Sequence, residues 1–175
     1  MHDFIPRTRQ LRDGEPVRVR PLRSDDGERL ACFYASLRER DRFFYRPHPL
    51  TRDRALEKAA RANSPTFVCL LLENRQGEIA GYAWYEWTLH AERSTFGICI
   101  RPQYQGRGAG TLLVHPLLEI ADRIGPAVMG LTVQKANPRA VALYRKHGFR
   151  VVREQERTTD GEPDYYMERT RADDA

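Results

Sequence analysis

The segment Gln105-Gly-Arg-Gly-Ala-Gly110 sets Gly106, Gly108 and Gly110 directly before an apolar helical run, Thr111-Leu-Leu-Val-His-Pro-Leu-Leu-Glu-Ile-Ala121. Glycine lets a backbone approach an anion with no Cβ in the way. The free amides and positive dipole end of a following helix then accept phosphate, and Arg107 adds charge. The same pattern also fits a packing turn. It is not a Walker A loop, because no Gly-Lys-Ser/Thr follows. Nor is it a Rossmann fingerprint, since the spacing is GxGxG and the chain lacks a long run of βαβ units. Further on, Val133-Gln-Lys-Ala-Asn137-Pro-Arg-Ala-Val-Ala-Leu-Tyr144-Arg-Lys-His-Gly-Phe149 joins a strand end to a helix. Asn137 is its N-cap and Pro138 its first residue. Tyr144 on that helix is either a proton donor or, spaced from Val141, a core aromatic.

Positioning these residues takes alternating strands and helices. Pro16–Pro21 alternates apolar and charged side chains, a strand with one solvated face. The polar residues 1–14 before it read as a frayed arm or a short leading strand. Ser24-Asp25-Asp26 offers an N-cap for a helix to about Arg38, with Leu30, Phe33, Tyr34 and Leu37 on one face. Arg40–Leu50, with prolines on both sides of His48, cannot be regular helix. Thr51 caps a second helix to about Ala62. Phe67–Glu73 and Glu78–Glu86 form a hairpin about Asn74–Gly77. Ser94–Ile100 and Val128–Val133 are strands on either side of the glycine loop and its helix. The Asn137 helix ends at His147-Gly148, and Phe149–Arg157 and Tyr165–Arg169 are strands joined near Asp160-Gly161. Thr170–Ala175 reads as a disordered tail. The order requires a mixed sheet covered on both faces.

Composition narrows the function classes. The chain has 175 residues, 41% hydrophobic and 30% charged, which suits one domain with a core over about 16–169 and flexible ends. No window approaches the roughly 18 apolar residues of a membrane span, and Met1–Arg7 lacks the apolar stretch of a secretory signal. A cytoplasmic protein with no membrane partner is expected. The net charge of +5 comes mostly from arginine, since Lys58, Lys135 and Lys146 are the lysines. No run of five like charges supports a nucleic-acid tail. Cys32, Cys69 and Cys99 lie in apolar stretches and read as buried reduced thiols. The five histidines have no zinc-ligand spacing, so no metal is expected.

Taken together, the two motifs resemble those of the GNAT superfamily of N-acetyltransferases. Gln105–Gly110 matches its Q/R-x-x-G-x-G/A loop, and Asn137 through Tyr144 to Phe149 matches its N-x-x-A-x-x-L-Y-x-x-x-G-F signature. Both stand in the family's order, and the chain from Val17 to Met167 fits its topology. The resemblance implies an α/β fold, with a central mixed, mostly antiparallel sheet of six or seven strands flanked by about four helices. It also implies acetyl-CoA as cosubstrate. The backbone of Ile98, Cys99 and Ile100 would pair with the pantetheine arm where that strand splays from Val128–Val133. Amides of Gln105, Gly106, Arg107, Gly108, Ala109 and Gly110, with Thr111, would hold the pyrophosphate. Asn137 would touch the pantetheine chain, and Tyr144 would face the thioester sulfur as general acid.

Acyl transfer also needs a neutral amine. A lysine-like group is only about 0.04% neutral near pH ~7, a handicap of roughly 4.6 kcal/mol. A general base or a water chain must therefore remove a proton. Many relatives carry a glutamate near the start of the strand before the loop, where this chain has Ser94 and Thr95. Glu86 among its aromatic neighbours, Glu92 and His90 are the nearby candidates for the base, with water relayed by Ser94 as another route. The amino-terminal half, Leu11–Asp26 with Tyr34–Leu37 and Arg42–Arg46, is similar to the acetyltransferase domain of bacterial protein-lysine acetyltransferases. Arg40–Leu50 would wall the acceptor cleft. The expected reaction is direct attack of a primary amine on the thioester in a ternary complex, with Cys99 a poor ping-pong nucleophile. A small-molecule amine is the favoured acceptor. Protein lysine or an N-terminus is the alternative, and a non-catalytic acyl-CoA sensor the second. A homodimer is also compatible with the resemblance.

Overall fold

The computed structural model describes residues 4–45, 47–156 and 161–171. Eight strands form one sheet: β1 (Arg7–Gln10), β2 (Pro16–Pro21), β3 (Phe67–Glu73), β4 (Ile79–Glu86), β5 (Arg93–Ile100), β6 (Val128–Gln134), β7 (Arg150–Glu156) and β8 (Pro163–Thr170). Their spatial order is β1-β2-β3-β4-β5-β6-β8-β7. All neighbouring pairs are antiparallel except β5 with β6. The eighth strand, beyond the expected six or seven, is β1: residues 7–10 pair with β2 instead of fraying. The helices are α1 (Gly27–Ala35), the single turn α2 (Glu39–Arg42), α3 (Arg52–Ala60), α4 (Ala109–Ala121) and α5 (Pro138–Lys146). The expected turn near Asp160 and most of the expected tail fall on 157–160 and 172–175, outside the described residues; Thr170 closes β8.

Both faces of the sheet are covered, as β3 required: all seven of its residues are buried, which suits a central strand packed on either side. On one face, Leu113, Val114 and Leu117 of α4 and Val141 and Tyr144 of α5 pack against Val68, Leu70, Tyr85, Phe96 and Leu131. On the other, Leu30, Phe33 and Tyr34 of α1 and Ala55 of α3 cover Cys69, Leu71, Tyr82 and Trp84. Cys69 and Cys99 are buried, whereas Cys32 is exposed, correcting the expectation for that thiol: it lies on the outer side of α1.

The expected N-cap also differs. Ser24–Asp26 is a 3-10 turn, and Asp26 is turned inward to a buried ion cluster. Arg20 of β2 donates to both Asp26 oxygens, at 2.6 and 2.7 Å, and to Glu73 of β3 at 2.7 Å. Arg29 of α1 reaches the same two carboxylates at 2.7 and 2.6 Å. Asp26 still caps this turn, its Oδ2 accepting from Arg23 N–H at 2.8 Å, while the same carboxylate binds the two arginines.

A second buried charge lies beneath α3. Lys58 is 1% exposed, and its Nζ has no hydrogen-bond partner among the described residues. It sits 3.8 Å from the Trp84 ring centroid and 5.0 Å from that of Phe67. Burial pushes its pKa down to about 8, from an ordinary 10.5. The unfolded chain therefore binds more protons than the folded one between those values, and stability rises with pH across that window. Lys58→Met is expected to stabilise the protein by about 2–3 kcal/mol near neutral pH, the charge penalty less the lost cation–π contact. Urea unfolding at pH values below 8 and above 10.5 checks this: the advantage of the variant should disappear at the higher one. A difference independent of pH would refute the explanation.

Candidate active site

The parallel pair β5–β6 is joined only at its start, Arg93 to Val128, Ser94 to Met129 and Thr95 to Gly130. Beyond Thr95 the strands part: β5 continues beside β4, and β6 beside β8. The N–H of Arg101 bonds to Ala80 at 2.9 Å. Because strand peptides alternate sides, Arg101 and Cys99 face β4, while Ile98 and Ile100 turn their peptide groups into the gap. The gap thus presents the Ile98 peptide and the Ile100 N–H to any extended chain that enters it, while the Ile100 carbonyl already accepts from Gln105.

The glycine loop closes one end of this gap. Gly106 and Gly108 have φ of +75° and +96°, left-handed values natural to glycine. The loop turns directly into α4, whose first internal hydrogen bond runs from Leu112 N–H to Gly108 at 3.1 Å. The amides of Gly108, Ala109, Gly110 and Thr111 therefore have no partner inside the helix. A Cβ on Gly106 would stand in open space, whereas one on Gly110 would lie 3.0 Å from Leu143. Gly106 leaves room for a ligand, and Gly110 lets α4 approach α5. Arg107 points elsewhere: its guanidinium binds Asp13 at 2.6 Å and Glu15 at 2.5 Å. Gln105 donates to Ile100 O at 2.9 Å and accepts from Arg139 at 3.0 Å.

Tyr144 reaches the root of the gap from the α4–α5 face. Its ring packs edge-on against Phe96, at 5.9 Å between centroids, and tilted against Phe149, also at 5.9 Å. Its hydroxyl has no hydrogen-bond partner among the described residues, and burial raises its pKa above the ordinary value of 10.0. Asn137 caps α5 by accepting from Ala140 N–H at 3.1 Å. This bond uses the Asn137 carbonyl oxygen and leaves its Nδ2 available.

The opposite face carries a polar cluster that the sequence reading missed. Tyr82 of β4 is the cross-strand partner of Cys99, and Trp84 that of Gly97, so both indole and phenol lie beside the open stretch of β5. Tyr45 contacts the Tyr82 hydroxyl at 2.5 Å and His48 Nε2 at 2.8 Å; Tyr34 donates to Tyr82 at 3.1 Å and Trp84 to Tyr45 at 3.3 Å. Burial lowers the His48 pKa to about 4, against the bond to Pro49 O, with Lys58 and Arg54 adding repulsion. The imidazole is therefore neutral near pH ~7. Gln134, at the end of β6, donates to Phe43 O at 2.8 Å. Phe43 and Tyr45 thus reach from Gln134 on β6 to Tyr82 on β4. The period-two placement of Tyr82, Trp84 and Glu86 and the Arg40–Leu50 stretch were the available signals for this face.

The candidate bases are spread apart. Glu86 shares the face of Trp84, opposite Thr95, and its Oε2 accepts from Arg61 at 2.6 Å. Glu92 precedes β5 at the joined end of the β5–β6 pair; its side chain is 90% exposed and lies 3.5 Å from Arg93. His90 occupies a turn with φ of +64°. Ser94 is buried and donates to Val128 O at 3.4 Å. Cys99 is buried, its side chain beside Tyr82 and its peptide toward β4. The structure thus brings Ile98, Ile100, the loop amides and Tyr144 to one gap, with Glu86 on its Tyr82–Trp84 side and Glu92 outside it. An acyl-CoA fits these features: an extended arm for the free edge of β5 and anionic phosphates for the free amides of α4. Among the described residues no group of His, Cys, Asp and Glu could hold a metal ion. No helix there is long and apolar enough to cross a membrane.

Comparison with known proteins agrees with this geometry. Residues 33–149 match the model of the Acetyltransferase (GNAT) family. The chain is 33% identical over 93 residues to the [ribosomal protein bS18]-alanine N-acetyltransferase of Escherichia coli K12, covering 51% of this chain and 62% of that protein. Its fold is similar to that of the GNAT domain of S. lividans PAT, with TM-score 0.76, 22% identity and coverage of 94% and 96% of the two chains. It is also similar to spermidine N-acetyltransferase from Vibrio cholerae, solved with CoA and spermine. There the TM-score is 0.71 at 19% identity, over 89% and 96% of the chains.

Proposed function

The chain belongs to the GNAT acetyltransferase family, and from that premise we propose that it moves the acetyl group of acetyl-CoA to a primary amine of a small molecule, by direct attack in a ternary complex. The observation that carries the reading is the β5–β6 gap, with the Ile98 and Ile100 peptide groups turned into it. The pantetheine arm would extend along that edge, with Asn137 Nδ2 beside it. The amides at the start of α4 would take the pyrophosphate. The thioester would then lie near the root of the gap, between Tyr144 on one face and the Tyr82–Trp84 face on the other.

The acceptor enters from the second face. Its amine attacks the thioester carbonyl, the C–S bond breaks, and Tyr144 donates its proton to the departing thiolate. The strap from Tyr45 to Gln134 narrows this entrance, which supports a small amine over a folded protein surface. Glu86, held by Arg61 on the acceptor side, takes the proton from the amine, directly or through water. Glu86→Gln is expected to lower kcat/KM on the order of tenfold. An unaltered kcat/KM would remove Glu86 from the mechanism and leave a water route past Ser94.

The decisive experiment follows CoA release from acetyl-CoA with a thiol reagent across polyamines, aminoglycosides, amino acids and lysine peptides, alongside calorimetric binding of acetyl-CoA. Turnover with one small-amine class supports the reading and names the acceptor. Turnover on peptides alone would replace the acceptor with protein. Binding without turnover would favour a sensor, and no binding would overturn the acyl-CoA assignment.

A further inference from the structure

The glycine loop is electrostatically poorer than its sequence suggests. The guanidinium of Arg107 is held by Asp13 and Glu15 in the β1–β2 turn, so one cation faces two carboxylates there. Among the described residues these are the carboxylates that contact the loop. An anionic phosphate approaching the start of α4 thus finds free amides but no net charge from Arg107.

Two other arginines stand at the loop without a carboxylate. Arg12 lies in the same β1–β2 turn, and its backbone N–H donates to Arg107 O at 2.9 Å, which fixes the turn against the loop. A Cβ on Gly108 would lie 3.5 Å from Arg12 Cγ and 3.9 Å from its Nε. The Arg12 side chain therefore passes over the left-handed residue from which α4 begins. Arg139, in the first turn of α5, flanks the loop from the other side through its 3.0 Å bond to Gln105 Oε1. Neither forms an ion pair among the described residues, and both are exposed. Arginine suits phosphate because its planar guanidinium offers paired donors.

We propose that Arg12 and Arg139 form a clamp on the phosphates of acyl-CoA, with Arg107 reserved to anchor the β1–β2 turn beneath the loop. This rests on the acyl-CoA reading above. It assigns the leading strand β1 a role in binding: pairing with β2 sets the turn that delivers Arg12. The pyrophosphate and the ribose phosphate of CoA share this chemistry, and CoA and its dephospho form, which lacks the ribose phosphate, tell them apart.

Calorimetric binding of acetyl-CoA, CoA and dephospho-CoA at low and high salt tests the clamp on the full chain. Arg12→Gln and Arg139→Gln should each weaken acetyl-CoA about tenfold and reduce the salt dependence of binding, because each removes a charge-assisted contact to phosphate. Arg12→Lys should restore only part of the affinity, returning the charge without the paired donors. Arg123→Gln, at the far end of α4, should bind within about twofold of the unaltered protein. Loss that is smaller on dephospho-CoA than on CoA places the arginine at the ribose phosphate; equal loss places it at the pyrophosphate. If both glutamine variants bind acetyl-CoA like the unaltered protein, the clamp is refuted while the acyl-CoA reading stands. An equal loss in Arg123→Gln would also refute it, as an effect of net charge alone. No binding by the unaltered protein would overturn both.

Discussion

Tyr144→Phe is expected to lower kcat on the order of 100-fold, with acetyl-CoA binding unchanged. The substitution removes one oxygen and leaves the ring against Phe96 and Phe149, so the packing at the root of the gap is retained. Since the hydroxyl has no protein partner among the described residues, its loss strands no donor or acceptor. Burial keeps the phenol protonated throughout the working pH range, so the donor is present wherever the amine can react. A thiolate leaving without that donor bears its charge in a site walled by aromatic rings, where charge is costly. Single-turnover release of CoA measures this step, and calorimetry on the same variant separates it from binding. Turnover equal to that of the unaltered protein would remove Tyr144 from the chemistry and leave it as a core aromatic.

Arg20→Leu is expected to cost about 3–5 kcal/mol of stability near neutral pH. The guanidinium is 2% exposed, and Asp26 and Glu73 are 2% and 7% exposed, so the leucine leaves two buried carboxylates beside the half-exposed Arg29. Burial alone would raise both carboxyl pKa values; Arg20 outweighs it and holds them below the ordinary range. A carboxyl with a depressed folded pKa stabilises the protein above its unfolded value, and that contribution is lost as pH falls through the folded one. Once Arg20 is removed, acid neutralises the stranded carboxylates, so the deficit of the variant should shrink below about pH 4. Urea unfolding at neutral and acidic pH reads both effects. A loss under about 1 kcal/mol, or one that does not change with pH, would show that Arg29 suffices for the two carboxylates.

Much of the site was legible because its signals are local. Alternation in β2, the unbroken apolar run of β3 and the Asn137-Pro138 cap each act through neighbours a few residues apart. The loop before α4 needed only its glycines, since φ preference belongs to the residue itself. Even the hairpin β3–β4 follows from Asn74–Gly77, whose ends close on each other. The β1 strand was half legible: its sequence Arg-Thr-Arg-Gln has no apolar face, and only pairing with β2 makes it a strand.

Which partner each side chain finds was decided by the tertiary structure. Arg107 looked like a phosphate ligand until the turn bearing Asp13 and Glu15, more than 90 residues away, came to rest against it. Asp26 caps its turn through Arg23 N–H, but the buried ion cluster it joins with Arg20 and Glu73 had no local signal. Glu92 has the parity of Ser94, yet the β5–β6 pair is joined at that end and opens only after Thr95. His48, between two prolines, carried no signal; Tyr45 and Tyr82, 37 residues apart, give it its partners. The sequence by itself determined most of the strands, the Thr51 and Asn137 caps, the glycine turn before α4 and the position of Tyr144 on its helix, because backbone preference and hydrophobic period are short-range. The width of the gap, the neutralisation of Arg107, and the convergence of Arg12 and Arg139 on the loop came from contacts between distant segments, where charge and packing choose among partners that no local pattern encodes.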